Sequence, residues 1–190
     1  MKEKARIRKK ILKIRKKIGK KTVDANSAEI LDKLFRLREF CRAKKVMFYS
    51  SFANEVSTTK MIEKSLELKK QIFLPKILKD KIVPVQIYNL KELVLGKFGI
   101  LEPSAAMNRR FAPADLDVII VPGVAFDKNC NRIGFGKGYF DRFLKTQKAT
   151  TIGLAHNFQI VKKIQAKKFD VPTDFVITER GTHNRRGNKM

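Results

Sequence analysis

At 190 residues and 43% hydrophobic content the chain is long enough for one domain with a proper core, and no window approaches the roughly 18 uncharged apolar residues of a membrane span. A formal net charge of +25 invites a nucleic-acid reading, yet residues 1–21 hold twelve Lys or Arg against Glu3 alone, a net of +11, and the last twelve residues add +3. The other +11 is spread over 157 residues, a field that a phosphorylated or polycarboxylate ligand can use as readily as a duplex, so the composition argues against nucleic acid as partner.

Taken in chain order, "KARIRKKILKIRKKI" places Ile7, Ile11, Ile14 and Ile18 on one stripe of a helix whose other faces are cationic. The segment lacks the long apolar core of a secretory signal. Residues 27–42 repeat the period through Ile30, Leu34, Leu37 and Cys41, with Ser27 expected as N-cap. "KVMFYSSF" (45–52) reads as a strand, "ANEVSTT" as a polar turn, and 59–70 as a third helix. Residues 71–78 and 81–88 read as strands, with Pro75 and Pro84 near an end or edge. Residues 89–116 are irregular.

"DVIIVPGVAF" (117–126) has the continuous hydrophobicity of a strand buried on both faces. A helix is expected over 137–146, a strand at 150–156, a short helix at 159–166 and a last strand at 174–178, with a fraying basic tail from 179 to 190. This alternation predicts one three-layer α/β/α domain over 1–178, with a largely parallel sheet flanked by helices. Cys41 and Cys130 lie in unrelated segments without metal-ligand spacing, which suits a reducing cytoplasm.

The chemistry concentrates in "RIGFGKGYFDRFL" (132–144). A glycine-rich turn between a strand and a helix aims backbone N–H groups and the helix's positive end at an anion, and Lys137 adds a mobile charge. The P-loop template fails because Asn131 stands at its first glycine and Gly138 at its hydroxyl position. The dinucleotide fingerprint fails because its third glycine would be Tyr139. By itself the turn fits a structural role as well as an anion site. Asp141, one turn into the helix, fits either a Mg²⁺ ligand or a capping carboxylate.

"PGVAFDKNCNRIGFGKGYFDRFL" closely resembles the signature of the 5-formyltetrahydrofolate cyclo-ligase family, in which Pro-Gly-x-Ala-Phe-Asp precedes Arg-Leu-Gly-x-Gly-x-Gly-Tyr-Tyr-Asp. "NEVST" (54–58), "FGILEPS" (98–104), "IGLAHNFQIV" (152–161) and "VPTDFVIT" (171–178) resemble further family blocks in the same order, and the basic first helix has its counterpart there. The resemblance implies an α/β enzyme that uses ATP and Mg²⁺ to cyclise 5-formyltetrahydrofolate to 5,10-methenyltetrahydrofolate.

Residue by residue, it implies nucleotide contacts from Lys4, Ala5, Arg6, Ile7 and Arg8 on the first helix. On the turn it implies them from Arg132, Ile133, Gly134, Phe135, Gly136, Lys137, Gly138, Tyr139 and Phe140. Lys137 and Tyr139 would be the catalytic pair, and Phe135 to Tyr139 would also border the folate. Glu55 would bind the pterin, Glu102 would line the same pocket, and Asp141 and Asp174 would hold Mg²⁺. Phe140 stands where the family often has a second Tyr, which removes a hydroxyl. A monomer is expected. Two other readings stay open: a basic nucleic-acid-binding module of α/β fold, and a folate-binding relative without turnover.

Overall fold

The computed structural model describes residues 2–96, 99–104, 116–185 and 187. Its strands are β1 (Lys45–Met47), β2 (Gln71–Leu78), β3 (Lys81–Ile87), β4 (Leu93–Leu95), β5 (Leu101–Pro103), β6 (Val118–Val121), β7 (Ala125–Asp127), β8 (Arg132–Ile133), β9 (Thr150–Leu154), β10 (Ile160–Val161), β11 (Phe175–Thr178) and β12 (Gly181–Asn184). The α-helices are α1 (Lys2–Lys17), α2 (Lys20–Arg36), α3 (Arg38–Arg42), α4 (Thr59–Glu67) and α5 (Tyr139–Leu144).

The central sheet runs β12-β11-β9-β6-β1-β2-β3, parallel from β11 to β2 and closed at each edge by an antiparallel strand. Side chains that alternate along the strands split the core in two. Val46, Ile72, Val118, Ile120 and Ile152 pack with Ile30 and Leu34 of α2, Phe40 of α3 and Met61 of α4. Met47, Phe73, Ile119 and Val121 pack with Phe143 and Leu144 of α5. These are the three layers expected. Asp117 fixes the register beside β6 by accepting from the amides of Lys44 and Lys45 at 2.8 Å each. Among the described residues no helix is long and apolar enough to cross a membrane.

Several local expectations are corrected. The second helix starts at Lys20, not at 27, so Ser27 lies inside it. Its hydroxyl donates back to the Val23 carbonyl at 2.6 Å and accepts from the Ser57 amide at 2.9 Å, a tertiary tie and not an N-cap. The apolar run 117–126 breaks at Pro122 and Gly123: β6 ends in the main sheet, and β7 joins a three-stranded sheet of order β10-β7-β8. The helix expected at 159–166 is absent. Ile160 and Val161 pair with Phe126 and Asp127 as β10, and the Asp127 carboxylate accepts from the Ile164 amide at 2.9 Å. The tail does not fray at once, because Gly181–Asn184 form β12 against β11.

The small sheet positions α1. Ile11 packs on Val124, Ala125, Ile133 and Ile164, with Ile7 and Ile14 beside it. Three of the four predicted isoleucines therefore dock the basic helix where the chain turns from β8 into the glycine segment, while Ile18 lies past the end of α1.

Candidate active site

The turn after β8 uses left-handed backbone where only glycine is comfortable: φ is +107° at Gly136 and +68° at Gly138, which is also the N-cap of α5. Arg8 of α1 clasps the turn, donating from Nε to the Gly134 carbonyl at 2.8 Å. The β2–β3 hairpin clasps it from another side. The Tyr139 hydroxyl donates to Asp80 Oδ1 at 3.0 Å, and Arg142 donates to the carbonyls of Lys137 at 3.0 Å and Asp80 at 3.4 Å. The Asp80 hydrogen bond raises the Tyr139 phenol above its ordinary pKa, so its proton stays in place. Lys137 is exposed on the turn.

A second turn faces the first. After β1 the backbone takes positive φ at Ala53 (+46°) and Asn54 (+58°), and Asn54 Nδ2 caps the end of α1 by donating to the carbonyls of Arg15 and Ile18 at 3.1 Å each. This tie brings Glu55, 6% exposed, against Arg15, 2% exposed, with Nη1 to Oε1 at 3.3 Å. Glu55 Oε2 also accepts from the Phe52 amide at 3.3 Å. Burial pushes the Glu55 carboxyl up to about 7, against the opposing pull of Arg15 and that amide. The ring of Phe52 meets Phe135 of the glycine turn, with centroids 5.5 Å apart, and the Arg15 guanidinium lies 6.0 Å from the first ring and 5.5 Å from the second.

His156 braces this second turn from behind. Fully buried, it accepts from Asn26 at Nδ1 (3.1 Å) and donates from Nε2 to the Asn54 carbonyl (3.3 Å). Burial lowers its pKa, which keeps this neutral form.

Sequence-predicted residues divide by what they touch. Lys4 pairs with Asp170, and Arg8 reaches the turn. Burial alone would raise the Asp170 carboxyl, but Lys4, the Lys167 amide and Arg132 hold it below the usual carboxylate range. Ile7 and Ile133 belong to the apolar cluster that seats α1, while Ala5 and Arg6 are exposed. Arg132 is buried beneath the turn and binds Asp141 Oδ1 at 2.8 Å, with Phe140 5.9 Å from its guanidinium. Burial pulls the Arg132 pKa down and Asp141 pulls it back up. Its Nε is buried without a hydrogen-bond partner among the described residues.

Asp141 Oδ1 also accepts from the Val171 amide at 3.3 Å. Asp174 has a different set of partners: its Oδ2 accepts from the Thr151 amide and hydroxyl at 2.9 and 2.8 Å. Among the described residues the two aspartates share no hydrogen-bond partner, and no group of three or more His, Cys, Asp or Glu stands ready to hold a metal by itself. Glu102 lies in the β4–β5 ribbon with its side chain over Gly96, and the ribbon is tied to β2 by Lys76 donating to the Pro103 carbonyl at 2.7 Å. Phe98, in the same expected block, lies outside the described residues.

Sequence reasoning missed Arg15. The signal was present, since Lys4, Arg8, Ile11 and Arg15 fall at i, i+4, i+7 and i+11, one face of a helix.

Two facing turns, one glycine-rich and cationic, one acidic and aromatic, bridged by a basic helix, can hold a polyphosphate beside a flat polar ring. Comparison with known proteins identifies the family of the chain. The family model described as the 5-formyltetrahydrofolate cyclo-ligase family matches residues 1–179. A probable 5-formyltetrahydrofolate cyclo-ligase of Caenorhabditis elegans is 32% identical over 181 residues, 87% of each chain. The solved 5,10-methenyltetrahydrofolate synthetase of Aquifex aeolicus superposes with a TM-score of 0.88 at 35% identity, covering 98% of this chain and 95% of that one. That of Mycoplasma pneumoniae superposes at 0.75 with 26% identity, covering 93% and 98%. With the match running through both turns and the helix that joins them, the chain belongs to the 5-formyltetrahydrofolate cyclo-ligase family.

Proposed function

We propose that this chain catalyses the ATP- and Mg²⁺-dependent cyclisation of 5-formyltetrahydrofolate to 5,10-methenyltetrahydrofolate, releasing ADP and phosphate. The observation that carries the reading is the 5.5 Å contact between Phe135 of the glycine turn and Phe52 of the Glu55 turn, because phosphoryl donor and folate must meet where those turns meet.

A formamide oxygen is a poor leaving group. Transfer of the γ-phosphoryl group to that oxygen turns it into a good one. The neighbouring aryl amine then attacks the formyl carbon, loses its proton, and phosphate departs with the former formyl oxygen. Little covalent chemistry falls to the protein, which must align the reactants, neutralise charge and exclude water.

In this reading the amides of Gly134, Gly136 and Gly138 with Lys137 cradle the phosphates, Arg8 and Lys4 approach from α1, and Tyr139 borders the reacting oxygen. Phe135 and Phe52 border the folate, and Glu55 accepts from the amino and amide N–H groups of the pterin. Glu102 would line the pterin side only if the β4–β5 ribbon closes on it. Arg132 and Phe140 act from below by holding Asp141.

The residues fit Mg²⁺ in the manner usual for phosphate enzymes, where one or two carboxylates share the ion with substrate oxygens. Among the described residues the hydrogen bonds to the Asp141 carboxylate fall on Oδ1 and those to Asp174 on Oδ2, so one oxygen of each could serve a cation. Bound there, the ion would neutralise charge on the transferring phosphoryl group. The chain would work as a cytoplasmic monomer.

The test is an assay with ATP, Mg²⁺ and 5-formyltetrahydrofolate that follows the ultraviolet absorption of the conjugated product, with each reactant omitted in turn. Product that requires all three supports the reading. Folded protein that consumes no ATP but binds the folate would mark a binding relative instead.

A further inference from the structure

We infer that Arg15 is a positioning residue for folate recognition: it pairs with Glu55 and fixes that carboxylate beside the Phe52–Phe135 contact that joins the two turns. The inference rests on the cyclo-ligase reading, and it names a residue that touches neither reacting centre.

Three observations converge on it. Arg15 is 2% exposed although it is one of twelve cations on a helix segment that is otherwise largely wet. Burying a guanidinium is costly unless it is paired, so the position is specific. Its partner, held at 3.3 Å, is Glu55, which also accepts from the amide of Phe52, one of the two rings in contact across the turns. The guanidinium also lies within 6.0 Å of both rings, so it couples the acidic turn to the glycine turn by charge and by stacking. A merely structural cation would not need a carboxylate and both turns together.

The other titratable groups around Glu55 set the limits of the effect. Tyr49 rises from the end of β1 and donates its hydroxyl to the Val56 carbonyl at 3.0 Å; burial, then Glu55, hold its pKa well above normal, so it stays neutral. His156 lies behind Asn54, and burial keeps its pKa below 6.5, where Arg15 adds a further downward push. Neither can replace Arg15 as the cation near neutral pH. With a carboxyl already pushed up to about 7, loss of Arg15 moves it higher still. A rise of roughly one to three units would cut the ionised fraction at pH 7 from about one half to between about 0.1 and 0.001.

The experiment measures KM for 5-formyltetrahydrofolate and kcat against pH for the full-length wild type, Arg15→Met, Arg15→Lys and Glu55→Gln, at saturating ATP. In the wild type, KM for the folate is expected to fall as pH rises through about 7. Arg15→Met should shift that limb to higher pH by roughly one to three units and raise KM at pH 7 roughly 5- to 500-fold, with kcat changed much less. Arg15→Lys should return the limb toward its wild-type position. Glu55→Gln should abolish the limb.

An Arg15→Met limb at the wild-type pH overturns the inference, as does a limb that survives in Glu55→Gln, which decides the matter even if Arg15→Met fails to fold. Wild-type protein that forms no product in any buffer would instead overturn the cyclo-ligase reading itself.

Discussion

Arg8 and Gly134 lie 126 residues apart in the chain, yet the Arg8 guanidinium donates to the Gly134 carbonyl at 2.8 Å and fixes the edge of the glycine turn. The basic helix is thus tied directly to the glycine turn. Arg8→Met should raise KM for ATP about tenfold or more, the worth of a hydrogen bond involving a charged group. Steady-state kinetics with ATP varied at saturating folate checks it; an unchanged KM for ATP would detach α1 from the nucleotide.

Lys137 is exposed on the turn, so its removal should spare the fold. Lys137→Ala is expected to lose roughly 100- to 1000-fold in kcat, the usual cost of deleting one stabilising group at a developing charge, with Tm within a degree or two of wild type. Near-normal turnover would remove this lysine from the mechanism.

Gly138 begins α5 at φ +68°, where a side chain costs about 1–2 kcal/mol, and a Cβ there would stand 3.1 Å from Arg142 Nη1. Gly138→Ala should lower stability by about that amount in urea and should weaken turnover further than the stability loss explains. A variant as active as wild type would show that the turn's shape is not read by the nucleotide.

Glu55 carries a stability cost with a definite sign. Its folded pKa of about 7 lies above the ordinary 4.5, so the stability it contributes is full below 4.5 and is lost as pH rises through 7. The loss is on the order of 3 kcal/mol. Glu55→Gln should therefore gain on wild type by about that much between pH 4.5 and 8 in denaturant titrations, while losing folate affinity. A difference constant with pH would mean that Glu55 is not buried in the folded chain.

Much of this arrangement was legible in the residues. The isoleucine stripe of α1, the buried run of β6 and the alternation of strands and helices each follow from periodicity, and the layers follow from them. What escaped did so for tertiary reasons. Ser27 has the chemistry of a cap, but Gly19 already breaks the chain, so the helix begins there and Ser27 bonds to Val23 and Ser57. Ile160 and Val161 have no periodicity to betray a strand; they pair because β7 lies open beside them once Pro122 and Gly123 have turned it out of the main sheet. Within the site, Glu55 and the glycine turn were visible as blocks. Arg15 was hidden among lysines of the same charge, and only the helix's docking geometry separates it from them.

In the proposed reaction the phosphoryl group passes from ATP to the formyl oxygen where the Lys137 and Glu55 turns meet. Substrate carrying ¹⁸O in its formyl group tests this most directly, with the released inorganic phosphate analysed by mass. Label in the phosphate, one atom for each ring closed and each ADP formed, is the expected result. Unlabelled phosphate alongside ring-closed product would contradict it.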